Sequence, residues 1–141
     1  MKSDRSIKNI CIAAIKRHTI KPIDFPLSRI FEDNEVPDYA QGLTFLEAEL
    51  PISSVFVDQL NWTLVTSRRI ATCLNGELAT CSAEDVVSWN WGIVNFSRGN
   101  VTTVGQVVLS NGASIKVHIE VGRASMLIIY AIMTLVGQVK R

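Results

Sequence analysis

The chain has 141 residues, with 14 Lys plus Arg against 13 Asp plus Glu, a formal charge of +1, and 48% apolar against 19% charged residues. That length makes one domain of roughly 100–150 residues, and the composition excludes disorder for most of it. A balance this close to neutral reads against nucleic acid as a partner, because phosphate affinity needs a surplus of Lys and Arg gathered on one face.

Met1 to Arg17 alternates charged and apolar residues without an unbroken apolar run, so it does not read as a secretory signal and the cytoplasm is the expected compartment. The odd count of Cys11, Cys73 and Cys81 agrees, being a poor disulfide framework. Ser3 or Asp4 can cap a helix. Ile7, Ile10, Cys11, Ala14 and Ile15 then recur at steps of three and four, which predicts an amphipathic helix over residues 4–18 with Lys8, Asn9, Lys16 and Arg17 facing away.

All four prolines, at 22, 26, 37 and 51, fall in the next stretch. Each removes a donor and biases its predecessor away from helix, so a connecting region with short elements is expected. Within it Leu43, Phe45, Leu46, Ala48 and Leu50 read as a strand or a short helix, strand being preferred. From Val55 the texture changes to short runs of Val, Ile, Thr and Trp between turn signals. Asn75-Gly76 and Asn111-Gly112 each predict a hairpin, since Asn tolerates and Gly readily takes the positive φ of a type I′ turn.

Two-residue loops would fix both registers. Cys73 would face Leu78 and Ile70 would face Cys81, putting the two cysteines on opposite faces. In the later hairpin Val108 would face Ile115, Gln106 would face Val117 and Val104 would face Ile119, so that Val104, Val108, Ile115, Val117 and Ile119 share one face. The expected strands are 62–67, 69–74, 77–82, 86–91, 93–98, 101–110 and 113–121, followed by a helix from Arg123 to Val139. The uncharged stretch 124–139 is shorter than the about 20 residues of a membrane span, so a buried helix is expected there. Its side chains are apolar almost all round, and such a helix has to be covered all round. The preferred cover is Ile7, Ile10 and Ile15 packing against residues such as Leu127 and Leu135; a second copy or a partner could also supply it. Each aliphatic side chain so buried is worth ~1.5–3 kcal/mol.

The run Trp62-Thr63-Leu64-Val65-Thr66-Ser67-Arg68-Arg69-Ile70 resembles the bacterial pleckstrin-homology-like family. So do the Asn75-Gly76 turn, Ala83-Glu84-Asp85-Val86-Val87-Ser88, Val107-Val108-Leu109-Ser110-Asn111-Gly112, Ile115-Lys116-Val117 and the last helix. The resemblance covers residues 55–139. It implies an α+β domain in which a strongly bent antiparallel sheet of about seven strands forms a partly open barrel capped by the C-terminal helix, and it implies no enzyme activity. Residues 1–54, a helix and a proline-containing connector packed on the domain, lie outside the simplest members. Residues 55–141 form the barrel with its helix.

Candidate chemistry is sparse. His18 and His118 have no companion ligand at a metal-binding interval, and Glu32, Asp33 and Glu35 lack the Gly and distal Glu of a calcium loop. There is no Gly-x-Ser-x-Gly, no phosphate loop and no Cys or Ser beside a plausible base. No enzyme, metal, cofactor or small-molecule substrate is therefore expected. Arg68-Arg69 is an anion-binding candidate that reads first as a structural or solvated pair, because phosphate recognition needs several converging donors. Trp89 and Trp91 fall on one strand face with Val87 and Ile93, as core filling or as a protein-binding surface. The expected role is a non-catalytic interaction or scaffold module acting on a protein partner or on itself. The alternatives are an immunity or antitoxin protein that occludes a cognate effector, and, least expected of the three, binding to a lipid or membrane surface.

Overall fold

The computed structural model describes residues 2–19, 21, 23–40, 42–92, 94 and 101–140. Helix α1 runs Asp4–His18. Ser3 caps it, its hydroxyl oxygen accepting from the Ser6 amide at 3.1 Å, with Asp4 in the first turn and Lys16, Arg17 and His18 in the last, each sign matched to the helix dipole. Strands β1 (Ser28–Ile30), β2 (Pro51–Asp58), β3 (Asn61–Thr66), β4 (Arg69–Leu74) and β5 (Glu77–Ser82) make a five-stranded antiparallel sheet in chain order. Strands β6 (Val86–Asn90), β7 (Thr102–Leu109) and β8 (Ser114–Glu120) make a second antiparallel sheet, and helix α2 (Ser125–Val139) follows. The class is α+β, with two sheets and no closed barrel among the described residues.

The middle of the larger sheet is buried on both faces, as the near-continuous burial of β3 and β4 shows, while β5 at its edge is exposed apart from Cys81 and the half-buried Ala79. On one side Val65 and Ile70 join Ile52, Val55, Val107, Val117, Ile119 and the apolar sides of α1 and α2 in the main core. On the other, Trp62, Leu64, Ala71 and Cys73 meet Phe31, Ala40 and Leu43 of the connector. Tyr39 closes that second core with its ring 4.6 Å from Phe56 and 5.3 Å from Trp62. Strand β8 lies across β3 and β4, and the crossing is polar. The Thr63 hydroxyl accepts from the His118 amide at 2.8 Å and shares a hydrogen with Thr72 at 2.9 Å, while His118 Nε2 lies 2.9 Å from the Cys73 carbonyl. These bonds satisfy polar groups that could not otherwise be buried there.

Helix α2 is enclosed as an all-apolar helix must be. Leu127, Ile128, Ile132 and Leu135 are fully buried. Helix α1 lies along it, with Ile7, Cys11 and Ile15 in the same cluster and the His18 ring stacked on Tyr130 at 4.0 Å and 6°. Counted with its short 3-10 start, the helical stretch Gly122–Val139 is 18 residues and apolar enough by length and composition to cross a membrane, and half of it is buried inside the fold.

Several expectations are corrected. The Asn75-Gly76 turn has positive φ at both residues and gives the register written above, Cys73 opposite Leu78 and Ile70 opposite Cys81. The Asn111-Gly112 turn does not. There only Gly112 has positive φ, the Leu109 amide donates to the Ala113 carbonyl at 2.8 Å, and the loop is three residues long, the form that ends in a left-handed Gly. The extra residue slides the pairing by one, to Val108 opposite Ser114, Val107 opposite Ile115 and Gly105 opposite Val117. The core face of β7 is therefore Gly105 and Val107, and Val104 is exposed. Residues 43–50 are neither strand nor helix but a loop with Ala48 at φ 70. Lys8, expected on the outer side of α1, is buried, its ammonium donating to the Asp33 carbonyl and to Asn34 Oδ1. Strands β1 and β2 were not anticipated. The strand expected over 93–98 lies outside the described residues apart from Val94, which is not in a strand.

Candidate functional site

The tryptophan segment sits at the edge of the smaller sheet, whose order is β6-β7-β8. Val86 is buried opposite Leu109, and a register irregularity between Val86 and Ser88 turns Val87 outward, 54% exposed, off the face where alternation would put it. Pairing then resumes with Trp89 opposite Val107. Trp89 and Trp91 are half-buried, pack against the main core, and stack with centroids 5.9 Å apart and planes 17° from parallel. Beyond them the Asn90 side chain accepts from the Gly92 amide at 3.0 Å, and Gly92, at φ 69, bends the chain away. Ile93, the third member of this expected surface, lies outside the described residues.

Gly105 makes that approach possible. A Cβ there would stand 2.8 Å from Ile119 Cδ1 and 3.3 Å from both the Asn90 carbonyl oxygen and Trp91 Cα. A side chain at 105 would push the tryptophan-bearing backbone off the sheet. The local arrangement is a stacked aromatic pair packed on one side against the core and open on the other, near exposed Val87 and Val104.

Arg68 and Arg69 do not converge on one another. Arg68 is held by Asp4 of α1, Nε to Oδ1 and Nη2 to Oδ2 each at 2.9 Å, and also donates to the Glu47 carbonyl. Arg69 reaches the other way, to Glu49, Nε to Oε2 at 2.8 Å and Nη2 to Oε1 at 3.0 Å. The Glu49 side chain is fully buried and also accepts from the Leu46 amide and the Thr66 hydroxyl. The Arg68 guanidinium beside it, helped by the Ser67 hydroxyl, holds the Asp4 carboxyl below its usual range against the opposing effect of burial. The pair of arginines thus works as two forks, one fastening α1 and the other fastening the 43–50 loop to the β3–β4 turn.

Among the predicted helix contacts, Ile7, Ile15, Leu127 and Leu135 are buried in one cluster while Ile10 is half-buried. Sequence reasoning missed Asp4 and Glu49 as arginine partners, and no local signal could have found them. They lie 64 and 20 residues from the groups they bind. Buried desolvation pushes the Lys8 ammonium down, opposed by Asp33 and Glu32, and lifts the Cys11 thiol to about 12. Among the described residues no three His, Cys, Asp or Glu side chains come together as metal ligands. The chain matches no family model, no curated protein and no solved structure.

Proposed function

We propose that this protein is a non-catalytic interaction module of pleckstrin-homology-like architecture that binds an extended segment of a protein partner along β6. The architectural part rests on order: four consecutive antiparallel strands, β2 to β5, then three, β6 to β8, then an enclosed helix, with β8 crossing the first sheet. The binding part rests on one observation, the stacked and half-buried pair of Trp89 in β6 and Trp91 just past its end, β6 being an edge strand among the described residues. An edge strand offers unpaired backbone groups to a partner strand, and flanking apolar side chains supply the affinity. Tryptophans anchored on one side lose little freedom on binding and recur at interface hot spots.

The test is selection of linear peptides against the folded chain, followed by mapping of amide shifts by nuclear magnetic resonance. Selected peptides shift amides of residues 86–91 and 104–107, and Trp91→Ala weakens them at least tenfold while the domain still melts cooperatively. Shifts confined to another surface, or undiminished binding by Trp91→Ala, would refute the reading.

A further inference from the structure

Between the start of α1, the β3–β4 turn, β5 and the last turn of α2 lies a cleft of about 980 Å³, at the top of the roughly 300–1,000 Å³ range of small-molecule sites. Its walls are of two kinds. Ile7, Cys81 and Val139 make it apolar inside, and Leu46, a leucine 53% exposed to water, stands at its rim. Lys2 and Arg68 bring positive charge to the same cleft. Arg68 is only partly used, because Nε and Nη2 are engaged by Asp4 and the Glu47 carbonyl while Nη1 donates to no described residue. A guanidinium fixed in place by one carboxylate with donors to spare is prepared for a second anionic group.

We propose that this cleft binds a single-chain amphiphilic monocarboxylate, the head group at Arg68 Nη1 and Lys2 and the alkyl chain along Ile7, Leu46 and Val139. The single charge follows from the other residues present. In the lining Asp4 is paired with Arg68 and Arg69 is taken up by Glu49, which leaves Lys2 against Glu84, so the charges nearly balance and a singly charged head is accommodated more readily than a dianion such as a phosphate monoester. The chain follows from the apolar part of the lining, where Ile7, Leu46 and Val139 stand in one cleft and an alkyl chain laid along them would be withdrawn from water. The site is separate from the tryptophan edge, so it stands whether or not β6 binds a peptide.

Isothermal titration with dodecanoate below its micellar concentration tests the proposal, with dodecyltrimethylammonium as the probe of opposite head charge. Leu46→Asp is compared with Leu78→Asp, which alters another exposed leucine, 44% against 53%, that does not line the cleft. Dodecanoate saturates at one per chain, the cationic amphiphile binds at least tenfold more weakly, Leu46→Asp costs at least tenfold and Leu78→Asp leaves affinity unchanged. Failure of dodecanoate to saturate, equal affinity for the two head groups, or equal losses in the two variants would each overturn it.

Discussion

Replacing Arg69 with Met removes both hydrogen bonds that the guanidinium makes to Glu49 and leaves a carboxylate whose side chain is 0% exposed. Breaking a buried pair from one side costs about 3–5 kcal/mol, because the surviving charge is stranded. Two features set the value here. Arg69 is itself 20% exposed, and the Leu46 amide and Thr66 hydroxyl still donate to Glu49, so the expected loss is near the lower end, about 3 kcal/mol. In a domain of this length that lowers the melting temperature by about 10 °C. Urea titration followed by far-ultraviolet circular dichroism measures it, and a double-mutant cycle isolates its cause. Adding Glu49→Gln to Arg69→Met neutralises the stranded charge and keeps an acceptor for Leu46, so the double variant recovers about 2 kcal/mol of the loss. A loss below about 1 kcal/mol for Arg69→Met, or a double variant no more stable than the single one, would refute the account of Glu49 as a charge held in place by Arg69.

Other consequences are open to measurement. Asp4 is held below its ordinary value of 3.8, chiefly by Arg68. Its contribution is therefore present above that value and is lost as pH falls through the lower folded value; Asp4→Asn should flatten this part of an acid unfolding curve, and an unchanged curve would count against the α1 fork. Gly105→Ala places a Cβ against Ile119 Cδ1 at 2.8 Å, which costs about 1–3 kcal/mol of overpacking. Ile119→Val removes that methyl and recovers part of the loss in thermal melts, whereas additive losses would show that the clash lies with the backbone of Asn90 and Trp91. Burial pushes the thiols of Cys11 and Cys81 up to about 12 and about 11. Cys11, which has no exposed surface, should resist an aromatic disulfide reagent at pH 8 in the folded chain and react at once in urea, and its rapid labelling in the native protein would contradict its placement.

What the sequence made legible was what a few adjacent residues decide. Helix α1 could be read from its cap and stripe, α2 from its uncharged run, and the β4–β5 hairpin from Asn75-Gly76, because cap, stripe and turn each act within a turn or two of chain. The β7–β8 hairpin shows the limit of the same rule. Asn-Gly serves both as a complete two-residue loop and as the end of a three-residue one, and the choice exchanges the two faces of β7. Gly105 and Val107 on the core side, with Val104 outside, are the outcome. Strand β2 was hidden for a different reason. It opens on Pro51, carries Ser53 and Ser54, and is buried on both faces, so no period-two alternation marks it. The candidate surface at Trp89 and Trp91 was legible as residues, while the irregularity that turns Val87 away and the glycine that lets Trp91 approach were not.

The connector is what gives these separate features a common cause. A sheet that shows an apolar face on each side needs two covers, and α2 with its neighbours supplies one. Residues 31–45 supply the other through Phe31, Tyr39, Ala40 and Leu43. A segment with so little regular structure is held only where its ends are tied. The ties are charged: Lys8 reaches into the 33–34 turn from α1, and Arg69 fixes Glu49 at the far end. Arg68 in turn binds α1 through Asp4. Two adjacent arginines in one tight turn thereby couple both parts of residues 1–54 to the sheet. Loosening either fork should therefore expose one core while leaving the strands paired, and the order in which amides of β3 and α2 lose protection from hydrogen exchange in Arg68→Met and Arg69→Met would distinguish the two covers. If both variants released both sets of amides together, the covers would be a single cooperative unit and the division into two cores would have no energetic meaning.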